Sequence, residues 1–142
     1  MAARSPLATL LRIRRLQKDM ARAEALTAQA HALLAEHNAT EREASVARSH
    51  PLDGNPQAFA ASVAAGRALA AEAFAARRAH AEAQAVVQQR LAELAEAQQR
   101  EDGVERVVER HEEAARAADE RKVAAERDDL AAQSFLRRRE EP

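Results

Sequence analysis

The sequence "SHPLDGNP", residues 49 to 56, is the one place in this chain of 142 residues where turn-forming residues cluster. Between Pro6 and Pro51 there is no Gly or Pro, and beyond Pro56 only Gly66 and Gly103 interrupt. Pro51 disfavours helical dihedrals at His50 and so ends a first helix. Asp53-Gly54 is a turn pair, and Asn55-Pro56 supplies a cap and a first helical residue. Ser5-Pro6 gives the first helix an equivalent start. A chain broken once, about a third of the way along, has few choices. The expectation is an all-α fold: a long antiparallel two-helix coiled-coil hairpin, with the C-terminal helix extending beyond its partner. It forms a single domain over residues 1–142, with helix one over about 6–48, a turn over about 49–56 and helix two over about 57–138.

The composition agrees. Alanine exceeds a quarter of the residues, and Glu, Arg, Gln and Leu make up most of the rest, as in long helices and coiled coils. Aromatics are only 2%, which argues against an ordinary globular core, where large rings dominate the buried area. Apolar residues at Ile13, Leu16, Met20, Ala23, Ala30 and Leu34 suggest a seam on the first helix. Leu26 and Leu33 lie one position off it, so the seam drifts and is not a strict heptad. Phe59, Val63, Gly66, Ala70, Ala73, Val87, Leu91 and Leu94 suggest the facing seam, with Phe74 as a packing residue. The small residues imply close, alanine-lined helix contact.

Lengths then matter. Helices of these sizes span roughly 65 and 120 Å. Folding back at the turn pairs Arg48 with Gln57, so partner numbers add to about 105. The first helix then runs out near residue 99, close to Gly103. Residues 104 to 139 are expected to extend without a partner in the chain. That arm is mostly charged from Glu109 to Asp129, with helix-supporting pairs such as Glu112–Arg116, Arg116–Glu120 and Lys122–Glu126. Leu130, Phe135 and Leu136 restore an apolar patch beside Arg137, Arg138 and Arg139.

Function classes narrow by elimination. There is no cysteine, hence no thiol catalysis, disulfide or thiolate metal site. Five histidines at 31, 37, 50, 80 and 111 show no metal-ligand spacing. No constellation suggests an enzyme, and no cofactor is expected. Net charge is −1, so there is no bulk preference for nucleic acid or membrane. Both ends are basic, with Arg4, Arg12, Arg14, Arg15, Lys18 and Arg22 near one terminus and Arg137–Arg139 near the other. Antiparallel pairing brings these segments to one pole, which suits an acidic protein surface better than nucleic acid, since aromatic stacking is absent. No apolar run reaches the roughly 20 residues of a membrane span, and the start lacks signal-peptide character. A cytoplasmic protein is expected.

The segments "PLATLLRIRRLQKDMARAEA", "NPQAFAASV" and "ERKVAAERDDLAAQSFLRRR" resemble the flagellar export protein FliJ family, over nearly the whole chain. The most specific part is Asp128-Asp129, Leu130 and Ala131 followed by a basic finish. The resemblance implies a non-enzymatic stalk and export chaperone of the flagellar type III export apparatus. Its termini would insert into the hexameric export ATPase, through Leu7, Leu11, Arg12, Arg14, Asp129, Leu130, Phe135, Arg137, Arg138 and Arg139. The region near the turn would contact the membrane export-gate protein through Phe59 and Val63, although Val46, Arg42 and Ala39 stand on the facing helix where the family has aromatics. Export chaperones are further implied partners, and the implied location is the cytoplasmic face of the inner membrane, without insertion. The stalk of a virulence-type III secretion ATPase and a plain coiled-coil scaffold are the alternatives.

Overall fold

The computed structural model describes Pro6–Glu140, with side chains through Arg138. Arg4, the expected cap Ser5 and the side chain of Arg139 lie outside the described residues. Two helices account for nearly all of it: α1 (Pro6–Arg48) and α2 (Pro56–Glu140). They pack against each other as an all-α hairpin, with no strand among the described residues. Residues 15–99 form one compact unit, and residues up to 14 together with those from 100 onward form a second.

The bend is built from local hydrogen bonds. The Ser49 N–H donates to Val46 C=O and closes the end of α1. Gly54 has φ of 151°, a region that L side chains rarely adopt. Asn55 caps α2, its Oδ1 accepting from the Ala58 N–H at 2.8 Å. The Ser62 hydroxyl accepts from the Leu52 N–H at 2.9 Å and ties the loop to the second turn of α2.

That tie corrects the expected register. Within residues 15–99 the cross-helix pairs are Arg42–Glu72, Glu43–Arg77 and Glu24–Arg90, with Ala32 beside His80. Their numbers add to between 112 and 120, about ten more than expected. Pairing begins at Ser49 and Gly66, because the first turns of α2 lie over the loop and not beside α1.

The face is corrected too. In α1 the buried or half-buried residues are Ala21, Ala25, Ala28, Ala32, Ala35 and Ala39. In α2 they include Ala73, Ala76, His80, Ala83, Val87 and Leu94. Both series alternate steps of three and four, a strict heptad without drift. Ala28, Ala32 and Val87 form the centre, with Ala83 against them. The expected seam residues Leu16, Met20 and Leu34 are instead exposed, as is Ala70. Phe74 is 73% exposed and packs nothing under cover. The physical reason is size. Helix axes that approach to the near end of the usual 8–10 Å range need small residues at the contact. The half-buried His80 ring nitrogen Nδ1 lies 3.3 Å from the Ala32 carbonyl, a side-chain-to-backbone contact possible only where α1 presents no bulk.

In the second unit the same spacing recurs. Leu7, Leu11 and Arg14 are half-buried on α1, and Val104 and Val108 on α2, with Glu101 buried at 5% exposure. Cover ends at Val108. Beyond it every described side chain is exposed except those of Ala117 and Ser134, which are half-buried. The uncovered segment therefore starts about five residues later than the expected 104. Lys122 lies 3.9 Å from Asp119, and the expected arm pairs Glu112–Arg116, Arg116–Glu120 and Lys122–Glu126 are not made. One stretch of α2 is apolar and long enough to meet the simplest test for a membrane span, where the sequence reading saw none. Alanine carries much of that apolarity, and each alanine offers little area to transfer from water.

Candidate functional site

Two surfaces hold the residues singled out from the sequence, one in each unit. The first is the ATPase-facing set. Its α1 members do not form an open surface: Leu7, Leu11 and Arg14 sit at steps of four and three on the covered side, and only Arg12 among them is exposed. These positions follow the heptad, so Leu7 and Leu11 serve packing first. On α2, Asp129, Leu130, Phe135, Arg137 and Arg138 are all exposed.

The expected apolar patch is not one patch. At about 100° per residue, Phe135 points roughly 140° from Leu130, and Leu136 roughly 120° away on the other side. Arg137 falls on the Leu130 stripe, as does Val123, each seven residues apart. The arm thus presents apolar and cationic groups around its circumference. A helix of this kind matches a surrounding partner better than a flat one. The guanidinium groups of Arg106, Arg110 and Arg138 fold back on carbonyls one turn earlier, those of Asp102, Arg106 and Ser134. These contacts satisfy the helix backbone and leave further guanidinium donors for a partner.

The second surface is the bend. Phe59 stands on the first turn of α2 and is 50% exposed, because the register carries that turn past the end of α1. Its N–H bonds to the Asn55 carbonyl, which fixes the backbone beneath the ring. Val63 is half-buried and lines a shallow groove with Val46, Ser49, Pro51 and Gly66. The structure therefore separates the pair: Phe59 is available for contact, and Val63 mainly seals the bend. Of the facing residues, Val46 lines the same groove, Arg42 pairs with Glu72, and Ala39 is fully buried.

Charge along residues 15–99 is organised across the helix pair. Arg77 binds both carboxylate oxygens of Glu43, and hydrogen bonding to that guanidinium holds the Glu43 carboxyl below its ordinary range. Arg90 bridges Glu93 on its own helix at 2.7 Å and Glu24 on α1 at 2.9 Å. Hydrogen bonds from Arg90, then Gln89, lower the Glu93 carboxyl. The same contacts raise both arginines further above neutrality. Among the described residues no three of His, Cys, Asp and Glu converge as a metal site.

Residues missed by the sequence reading as surface are Leu16, Met20, Leu26, Leu33 and Leu34. Their periodicity was visible but was assigned to the internal seam.

No family model matches this chain, no curated protein sequence matches it, and no solved structure matches it.

Proposed function

We propose that this protein is a non-enzymatic stalk and coupling factor of the flagellar type III export apparatus, with its C-terminal arm seated in the hexameric export ATPase. The supporting observation is the exposure of α2 from Glu109 to Arg138, on a helix that carries Leu130, Phe135, Leu136 and two described arginines around its circumference. An isolated helix is marginal in water and gains most from a partner that surrounds it. Large apolar groups and arginine are the side chains that anchor interfaces. The resemblance to the FliJ family supplies the identity of the partner. On this reading Phe59, exposed at the bend, meets the export-gate protein, with export chaperones as additional clients. The protein works at the cytoplasmic face of the inner membrane, without nucleic acid or a cofactor.

The test is ATP turnover by the cognate hexamer with the full chain and with a variant truncated before Asp128. Circular dichroism controls for the fold of residues 15–99. Stimulation is expected from the full chain only. Equal stimulation by both would put the arm outside the mechanism.

A further inference from the structure

The outer side of α1 within residues 15–99 carries Leu16, Met20, Leu26, Leu33 and Leu34, all between 55% and 68% exposed. They lie roughly opposite the alanine seam, at about 130–180° around the helix. Leu16, Met20, Ala23, Thr27, Ala30 and Leu34 step by three and four, so α1 bears a second strict heptad on the face that α2 does not touch. Such a stripe is what a further helix recognises. The reading of the arm as a stalk does not use it.

We infer that this stripe pairs with the same stripe of a second copy of the chain, antiparallel, about a twofold axis near residues 25 and 26. Three observations select that occupant. The first is shape. Antiparallel pairing about that point sets Leu16 against Leu34 of the other copy, Met20 against Ala30 and Ala23 against Thr27. Large side chains meet small ones through the middle, and the ends close with leucine, as a packed interface requires. A twofold axis makes each contact occur twice.

The second is charge. Residues 15 to 22 carry Arg15, Lys18 and Arg22 against Asp19, whereas residues 36 to 43 carry Glu36, Glu41 and Glu43 against Arg42. Antiparallel pairing brings the basic end of one copy toward the acidic end of the other. Parallel pairing would stack like on like. The third is area. The five exposed large side chains offer on the order of 600 Å² per copy, or about 1,200 Å² for two, which reaches the lower edge of specific interfaces.

The chain has no cysteine, so single cysteines report the pairing without background. Sedimentation equilibrium of the full chain at about 100 µM should show a dimer, with micromolar dissociation in keeping with so small an interface. The double variant Met20→Glu, Leu34→Glu should dissociate at least tenfold more readily while keeping its helicity, since both side chains are exposed in the single hairpin. Leu16→Cys mixed with Leu34→Cys should form a disulfide between copies, and Leu16→Cys alone should not. A monomer at that concentration, unchanged association of the charged variant, or self-linking of Leu16→Cys as fast as the mixture would each overturn the proposal.

Discussion

Arg77 on α2 grips Glu43 on α1 with two nitrogens, Nε meeting Oε1 at 2.9 Å and Nη2 meeting Oε2. This is a bidentate bond between the two helices, in a seam otherwise made of alanine. It gives the hairpin an acid limb. The folded state lowers the Glu43 carboxyl, chiefly through its hydrogen bond to Arg77, and Glu93 is lowered in the same direction by Arg90. A carboxyl lowered on folding contributes stability above its unfolded value, and that contribution is lost as pH falls through the folded value. The arginines stay charged throughout, so no matching alkaline limb arises from these pairs. The effect is modest because both side chains of the Glu43 pair are nearly half exposed. We expect Glu43→Gln to lower Tm slightly at pH 7, and the gap from the parent chain to close between about pH 5 and pH 3. Thermal melts across that range at low salt would show it. A gap that stayed constant to pH 3 would remove the pair from the account.

Register is the second point open to measurement. Gln29 and Gln84 line one groove, with Ala32, Leu33 and Val87 between them. Spin labels at Gln29 and Gln84 should therefore lie close together. The register read from the sequence would set Gln29 near residue 76 instead, a slip of eight residues, or roughly 12 Å along the axis. A distance longer than that slip allows would return the hairpin to the shorter pairing.

How the sequence led to the fold, and where it misled, follows from these same residues. Pro51, Gly54 and Pro56 mark the bend, and the absence of other breaks marks the two helices, because backbone restriction is local and readable. The alanine-lined contact was legible as a kind of packing. Its face was not. Hydropathy weights Leu16, Met20 and Leu34 above Ala25, Ala28 and Ala32, yet closeness of approach, a property of the pair, decided which side was covered. The register was hidden for a related reason: no residue type announces that Ser62 will hold Leu52 and carry the first turns of α2 past α1. At the candidate site, Leu130 and the arginines were legible as exposed residues. The inward positions of Leu7, Leu11 and Arg14 depended on the heptad that had been assigned to the wrong side.

Two glycines give opposite predictions. Gly54 sits at φ of 151° with open space where a Cβ would go, so only its backbone opposes substitution. Gly54→Ala should destabilise the bend by about 1–2 kcal/mol. Gly66 is helical, and an added Cβ would meet Ser49 Oγ at 3.5 Å, an ordinary contact. Gly66→Ala should stabilise by about 1 kcal/mol, the cost of glycine in a helix interior. Denaturant titration of both variants decides between this and a clash at the close end of the hairpin, where Gly66→Ala would also lower stability.

The alanine seam predicts an inversion of the usual rule that larger apolar residues stabilise a helical interface. Ala32 is 3% exposed, belongs to the buried cluster with Ala28 and Val87, and offers its carbonyl to His80. Leucine at this position has no room without driving the helices apart, and overpacking of this kind costs about 1–3 kcal/mol. It would also separate His80 from the carbonyl, a loss of about 1 kcal/mol or less for so long a bond. Phe74 is the opposite case. At 73% exposed it contributes little to the hairpin, and alanine is the better helix former by a few tenths of a kcal/mol. We therefore expect Ala32→Leu to lower the denaturation midpoint and Phe74→Ala to leave it unchanged or raise it slightly. Both should be measured at about 1 µM protein, below the association proposed for α1, so that the single hairpin is what unfolds. A stabilising Ala32→Leu would mean that the helices stand further apart than the His80 contact requires, and the large residues of α1 would again compete for the inner face.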